Sequence, residues 1–145
     1  MVLWTKDAEC KNAKAALGCT LTQQTYDSMI ATIELAIVQS NNAFIDSGIP
    51  QVQFNLVHAY REESYTEPTT NVFSTALYNL RSKTDGKLDN VHDLRDEYGA
   101  DVVAMITAHE EKCGVAPIGP YEPWMFSVTN YECATGQYAF AHEIG

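Results

Sequence analysis

The chain has 145 residues and a mass of 16.1 kDa, with 46% hydrophobic, 10% aromatic and 19% charged residues, a composition that excludes a disordered tail, a collagen and a coiled coil. Nine Lys and Arg against nineteen Asp and Glu give a formal charge of −10. Such a surface repels phosphate backbones and anionic headgroups, so nucleic acid and the membrane surface are poor partners.

The mass is enough for one core that buries roughly two thirds of the unfolded surface, and no repeat, low-complexity stretch or Pro/Gly/Ser linker divides residues 1–145. No apolar run approaches the length of a membrane span, and Met1-Val2-Leu3-Trp4-Thr5-Lys6 lacks the basic lead and long apolar run of a signal peptide. Met1 to Thr5 reads as a short apolar strand, followed by a polar loop holding Cys10 and Cys19. From about Thr22 to Ser47 the residues Tyr26, Ile30, Ile33, Ile37 and Phe44 recur at three- and four-residue steps, with Gly48 and Pro50 as stop signals, which predicts a long helix with one buried stripe. Val52, Phe54, Leu56, His58 and Tyr60 then alternate with Gln51, Gln53, Asn55 and Val57 as in a strand with one buried face. Phe73, Ala76, Leu77 and Leu80 form a second helical stripe. Asp85-Gly86 marks a turn, and Asn90 can cap a short helix carrying Val91, Leu94 and Tyr98. Val102 to Ile106 is a continuous apolar run, the pattern of a strand covered on both faces.

The last third is broken by Gly114, Pro117, Gly119, Pro120 and Pro123 around a short extended piece, Val115-Ala116. Trp124 to Thr129 reads as another strand and Tyr138 to Gly145 as the beginning of a helix. The order is therefore β-α-β-α-β with two further strands and a final helix, an α/β arrangement. Four cysteines, Cys10, Cys19, Cys113 and Cys133, allow three pairings, and the even count points to an oxidising, secretory setting.

His142-Glu143 is the first half of an HExxH pattern, in which two histidines one helical turn apart hold zinc and the Glu between them is the general base. The second histidine would stand one position beyond Gly145. His109-Glu110 is a second such pair, but Cys113 occupies the position of its second histidine, so His109 reads as a solvated loop residue. His58, on a strand face, and His92, in a charged helix, have no partner at ligand spacing and read as structural or surface histidines. Asp85 to Asp89 lacks the alternating acids of a calcium loop, and the chain has neither a phosphate-cradling glycine loop nor a GxSxG elbow.

Several segments, taken in order, resemble the catalytic domain of metzincin-type zinc metalloproteases, in particular the secreted reprolysin-like peptidases. They are Ser40 to Ile49, Leu56 to Tyr60, Asp85 to Asp96, Tyr98 to Val103, Cys113-Gly114-Val115-Ala116, Phe126-Ser127-Val128, Cys133 to Gly136 and Phe140 to Gly145. The resemblance implies a zincin-like fold, a twisted, mostly parallel five-stranded sheet with two long helices, and an active-site helix bearing HExxHxxGxxH. It implies Zn2+ as cofactor, His142 as the first metal ligand, Glu143 as the general base, and Gly114, Val115 and Ala116 in an edge strand that binds a peptide or protein substrate antiparallel. It also implies the pairings Cys113 with Cys133 and Cys10 with Cys19, and a secreted or extracellular location. On this reading residues 1–145 are a partial catalytic domain, the N-terminal subdomain cut at the start of the active-site helix. The C-terminal subdomain, propeptide and signal would lie outside, and the isolated chain would be inactive. Two rivals are a non-catalytic secreted module that binds a peptide or partner along the edge strand, and a cytosolic domain with four reduced thiols.

Overall fold

The computed structural model of the chain describes residues 1–119 and 121–144, the side chain of Glu122 excepted; Pro120, expected in a break, and Gly145, expected in the final helix, lie outside the described residues. The elements in chain order are β1 (Val2–Thr5), α1 (Lys6–Asn12), α2 (Gln23–Asp46), β2 (Ala59–Glu62), α3 (Val72–Arg81), α4 (Asn90–Glu97), β3 (Val103–Thr107), β4 (Gly114–Val115), β5 (Phe126–Asn130) and α5 (Ala139–Ile144). The strands form one sheet in the order β2-β1-β3-β5-β4. Four run parallel, and the edge strand β4 runs antiparallel to β5, with Gly114 opposite Thr129 and Val115 opposite Val128.

Period-two alternation along the central strands feeds two cores, one on each face. Leu3, Val103, Met105, Phe126 and Val128 point to the face covered by α3 and α4, where Phe73, Ala76, Leu80 and Val91 are buried. Val2, Trp4, Ala104 and Ile106 point to the other face and meet Ala8 of α1, Met29, Ile33 and Ala36 of α2, and Phe140 of α5. A mostly parallel sheet sandwiched between helices is the α/β layout expected from the sequence. Among the described residues α2 is 24 residues long and α3, ten.

The long helix is bounded as its sequence predicts. Thr22 and Thr25 form a reciprocal capping box at its start, and Ser47 closes it. Four local expectations are corrected. The polar segment after β1 is the helix α1, so Cys10 lies on a helix; Thr5 caps it by accepting from the Ala8 amide at 3.0 Å, and Asp7 and Glu9 suit the positive end. The alternating run from Val52 enters the sheet only at Ala59. Asn41 of α2 holds both backbone groups of Phe54 at 2.7 and 3.1 Å, so that stretch finds its backbone partners on a helix side chain instead of a neighbouring strand. In α4, Asn90 is the first helical residue and not the cap; the capping position is Asp89, whose carboxylate turns back to accept from the Gly86 amide. The strand expected from Trp124 starts at Phe126, because Glu122–Trp124 coil into a single 3₁₀ turn.

Glu9 is wholly buried and ties four elements together. Its carboxylate accepts from Trp4 Nε1 of β1 at 2.8 Å, from Arg61 Nη1 of β2 at 3.1 and 3.2 Å, and from Thr25 Oγ1 of α2. A buried carboxylate with this many donors is satisfied, whereas its removal strands the donors. Glu9→Ala is expected to cost about 3 kcal/mol in denaturant unfolding; a loss below about 1 kcal/mol, the usual scale of a surface change, would show that the network is dispensable.

Candidate active site

Each sequence-marked residue can be followed to its place. The chain leaves β5, turns through Tyr131–Gln137 and rises into α5 after Tyr138, whose positive φ of 55° redirects the backbone into the helix. The turn is anchored to α2 where the Gly136 amide donates to Gln39 Oε1 at 2.8 Å. Ala139, Phe140 and Ala141 of α5 are buried, His142 is exposed and Glu143 is half-buried.

The edge strand is brought to the same place by covalent and hydrogen bonds. Cys113, just before β4, is bridged to Cys133 in the turn before α5, and the Asn130 amide donates to the Cys113 carbonyl at 2.8 Å. Cys10 and Cys19 form the second bridge, so both expected pairings are present. Gly114 lies directly against Glu143. A Cβ at position 114 would fall 2.6 Å from Glu143 Cγ and 2.7 Å from its Oε1, so the close approach of carboxylate and strand requires a glycine there. Val115 continues the strand; Ala116 lies just past the paired residues and, with Pro117, Trp124, Met125 and Glu143, lines a pocket of about 50 Å³. Outward from β5, β4 has no further strand beside it among the described residues.

Burial pushes the Glu143 carboxyl above the usual carboxylate range, while the nearby His142 and Lys112 charges pull it back. The half-shielded carboxylate beside an open strand edge has the geometry of a proton acceptor next to a bound extended peptide. Lys112 was not singled out by sequence reasoning, and neither was the contact between Gly114 and Glu143. Among the described residues no three His, Cys, Asp or Glu side chains gather as a ligand set. His142 is therefore a single candidate metal ligand, and a complete site needs donors in addition to it.

The other histidines sit elsewhere. His109 is partly exposed, with Nε2 3.7 Å from Oε2 of Glu67, and Glu110 pairs with Lys11 at 3.7 Å, so the two members of that His-Glu pair face different partners. Glu67, absent from the sequence reading, is nearly buried and accepts from Thr5 Oγ1 and from the Ala108 amide; its burial raises the carboxyl above its ordinary range. His58 stacks on Tyr98 with ring centres 3.9 Å apart, and His92 lies 3.1 Å from the Ser82 carbonyl. Both are structural. No described helix is long and apolar enough to cross a membrane.

Residues 30–145 match the family model described as metallo-peptidase family M12B reprolysin-like. A peptidyl-Asp metalloendopeptidase of Stenotrophomonas maltophilia (strain R551-3) is 34% identical over 119 residues, and one of Xanthomonas campestris pv. campestris is also 34% identical over 119 residues. In both cases the match covers 81% of this chain and 28% of the relative, so the chain spans a little over a quarter of the length of these curated relatives. A solved chain described as the structure of a chaperone-substrate complex superposes with a TM-score of 0.59 at 14% identity, covering 99% of this chain and 24% of the other, which is a likeness of fold alone.

The Cys113–Cys133 bridge is what joins the strand edge to the base of α5. From its 20-residue separation, the double variant Cys113→Ser/Cys133→Ser is expected to lose about 3 kcal/mol of stability. It should also show faster amide exchange at Gly114–Val115 than at β3. Unchanged exchange at β4 would mean that β5 alone holds the edge.

Proposed function

The chain belongs to the reprolysin-like M12B metallopeptidase family, and from that premise we propose that it forms part of the active site of a zinc-dependent metalloendopeptidase. The observation that carries the proposal is the Glu143 carboxylate lying against Gly114 of an open, antiparallel sheet edge. An extended substrate adds to β4 through main-chain hydrogen bonds, which orients its peptide group beside Glu143. Glu143 then takes a proton from the attacking water on a carboxylate oxygen and returns it to the departing amine nitrogen. His142, exposed one residue before it, is the first zinc ligand, and the remaining donors come from outside this set. Zinc at such a site supplies a cation that polarises the carbonyl and acidifies water.

A catalytic zinc needs three protein ligands and an open position, so the 145-residue chain by itself is expected to be inactive, as a partial catalytic domain of the complete protein. The substrate class follows from the bacterial relatives, whose name specifies peptidyl-Asp bonds; we extend this to hydrolysis beside an acidic residue. We further place the protein outside the cell. Two disulfides with no free cysteine support that location, because such bridges persist in oxidising compartments.

The test is peptide hydrolysis by the complete protein that carries this chain. Glu143→Gln is expected to lower kcat by roughly 10²- to 10⁴-fold, the usual weight of a general base. Activity retained within about threefold, a loss far below that weight, would remove Glu143 from the mechanism.

A further inference from the structure

The chain is strongly acidic, and one of its few arginines lies beside the candidate site. Arg81 stands in the last turn of α3, and among the described residues no carboxylate lies within salt-bridge distance of its guanidinium. Its Nε is buried and has no hydrogen-bond partner. A guanidinium carries five donors and is costly to leave unpaired where water is excluded. With nineteen carboxylates in the sequence, an arginine that has none within salt-bridge distance among the described residues is available to an anion from a bound molecule.

The position of Arg81 indicates where that anion enters. Its Cζ lies 5.4 Å from the centre of the Trp124 ring, and Trp124 lines the pocket that also contains Glu143, Ala116 and Pro117. Tyr121 meets the same indole edge-on at 5.1 Å, so the ring is held from a second side. Trp124 is 41% exposed. A peptide side chain entering this pocket from a substrate on β4 therefore passes along the indole that Arg81 supports. We propose that Arg81 is the specificity residue of the site, receiving the carboxylate of an acidic substrate side chain beside Trp124.

Lys112 is the competing cation. It lies close enough to Glu143 to pull its carboxyl down, and its Nζ sits 5.9 Å from the Phe73 ring near the start of α3. That placement makes it a point charge beside Glu143, whereas the arginine fork matches a carboxylate with two parallel hydrogen bonds. A purely local role for Arg81, completing the end of α3 and stacking on the indole, would affect stability without distinguishing one substrate from another.

The proposal rests on the peptidase reading, and the experiment separates the two. The complete protein is given two peptides that differ only by Asp against Asn at the residue flanking the cleaved bond. The wild type is expected to favour Asp in kcat/KM by roughly tenfold or more, and Arg81→Ala to bring the ratio towards one. Arg81→Lys keeps the charge without the fork, should retain an intermediate ratio, and serves if the alanine variant does not fold. The same peptides are then titrated by calorimetry into Glu143→Gln, with and without Arg81→Ala, which reads recognition without turnover. An Asp preference in binding that vanishes with Arg81 supports the inference even if the wild type hydrolyses neither peptide, a result that would count only against the proposed function. A preference that survives Arg81→Ala and disappears in Lys112→Ala overturns it, as does the absence of any preference in binding.

Discussion

Between Cys113 and Cys133 a covalent bridge joins the entry of the edge strand to the turn from which α5 rises. Without it, a two-residue strand at the margin of a sheet would rest on the β5 ladder alone, and so short a ladder is weak. With it, β4 and α5 share one frame, and the Asn130 amide bound to the Cys113 carbonyl fixes their spacing from inside β5. The contact between Gly114 and the Glu143 side chain follows from that spacing. Any residue other than glycine would force the carboxylate away from the strand, so the closeness of the two depends on an atom that is missing from position 114.

The rest of the fold supplies rigidity at a distance. The buried Glu9 carboxylate binds β1, α2 and β2 at one side of the sheet, and the two apolar faces of β1 and β3 hold helices above and below. Phe140 belongs to the core on the α2 side, so α5 is seated by the same packing that stabilises the domain. His142 and Glu143 need no rigidity of their own, since the buried face of their helix sets their direction. Arg81 is positioned in the same manner, at the end of a helix whose stripe Phe73, Ala76, Leu77 and Leu80 fills the opposite core.

What was legible in the sequence was mainly what is local. The periodic stripe and the Gly48 stop mark α2 to within a residue, because amphipathicity and helix stops act over a few positions. The apolar runs mark β1 and β3 for the same reason. The helix α1 reads as a polar loop because what anchors it is not local: Glu9 is held by Trp4 and by Arg61, 52 residues away. The start of β2 was misplaced because Asn41, from another element, takes up the backbone of Phe54. The two disulfide pairings and the edge position of Gly114-Val115 were legible through ordered motifs and family resemblance. The closeness of Gly114 to Glu143, and of Arg81 to Trp124, depends on elements that meet only in the folded chain.

Two His-Glu pairs occur in this chain, His109-Glu110 and His142-Glu143, and the proposed metal site uses the second. The most direct measurement is the zinc content of the complete protein after dialysis, for the wild type and for the variants His142→Ala and His109→Ala. One zinc per chain, lost with His142→Ala and kept with His109→Ala, is the predicted result. Zinc retained in full by a folded His142→Ala protein, or bound only when His109 is present, would contradict the central claim.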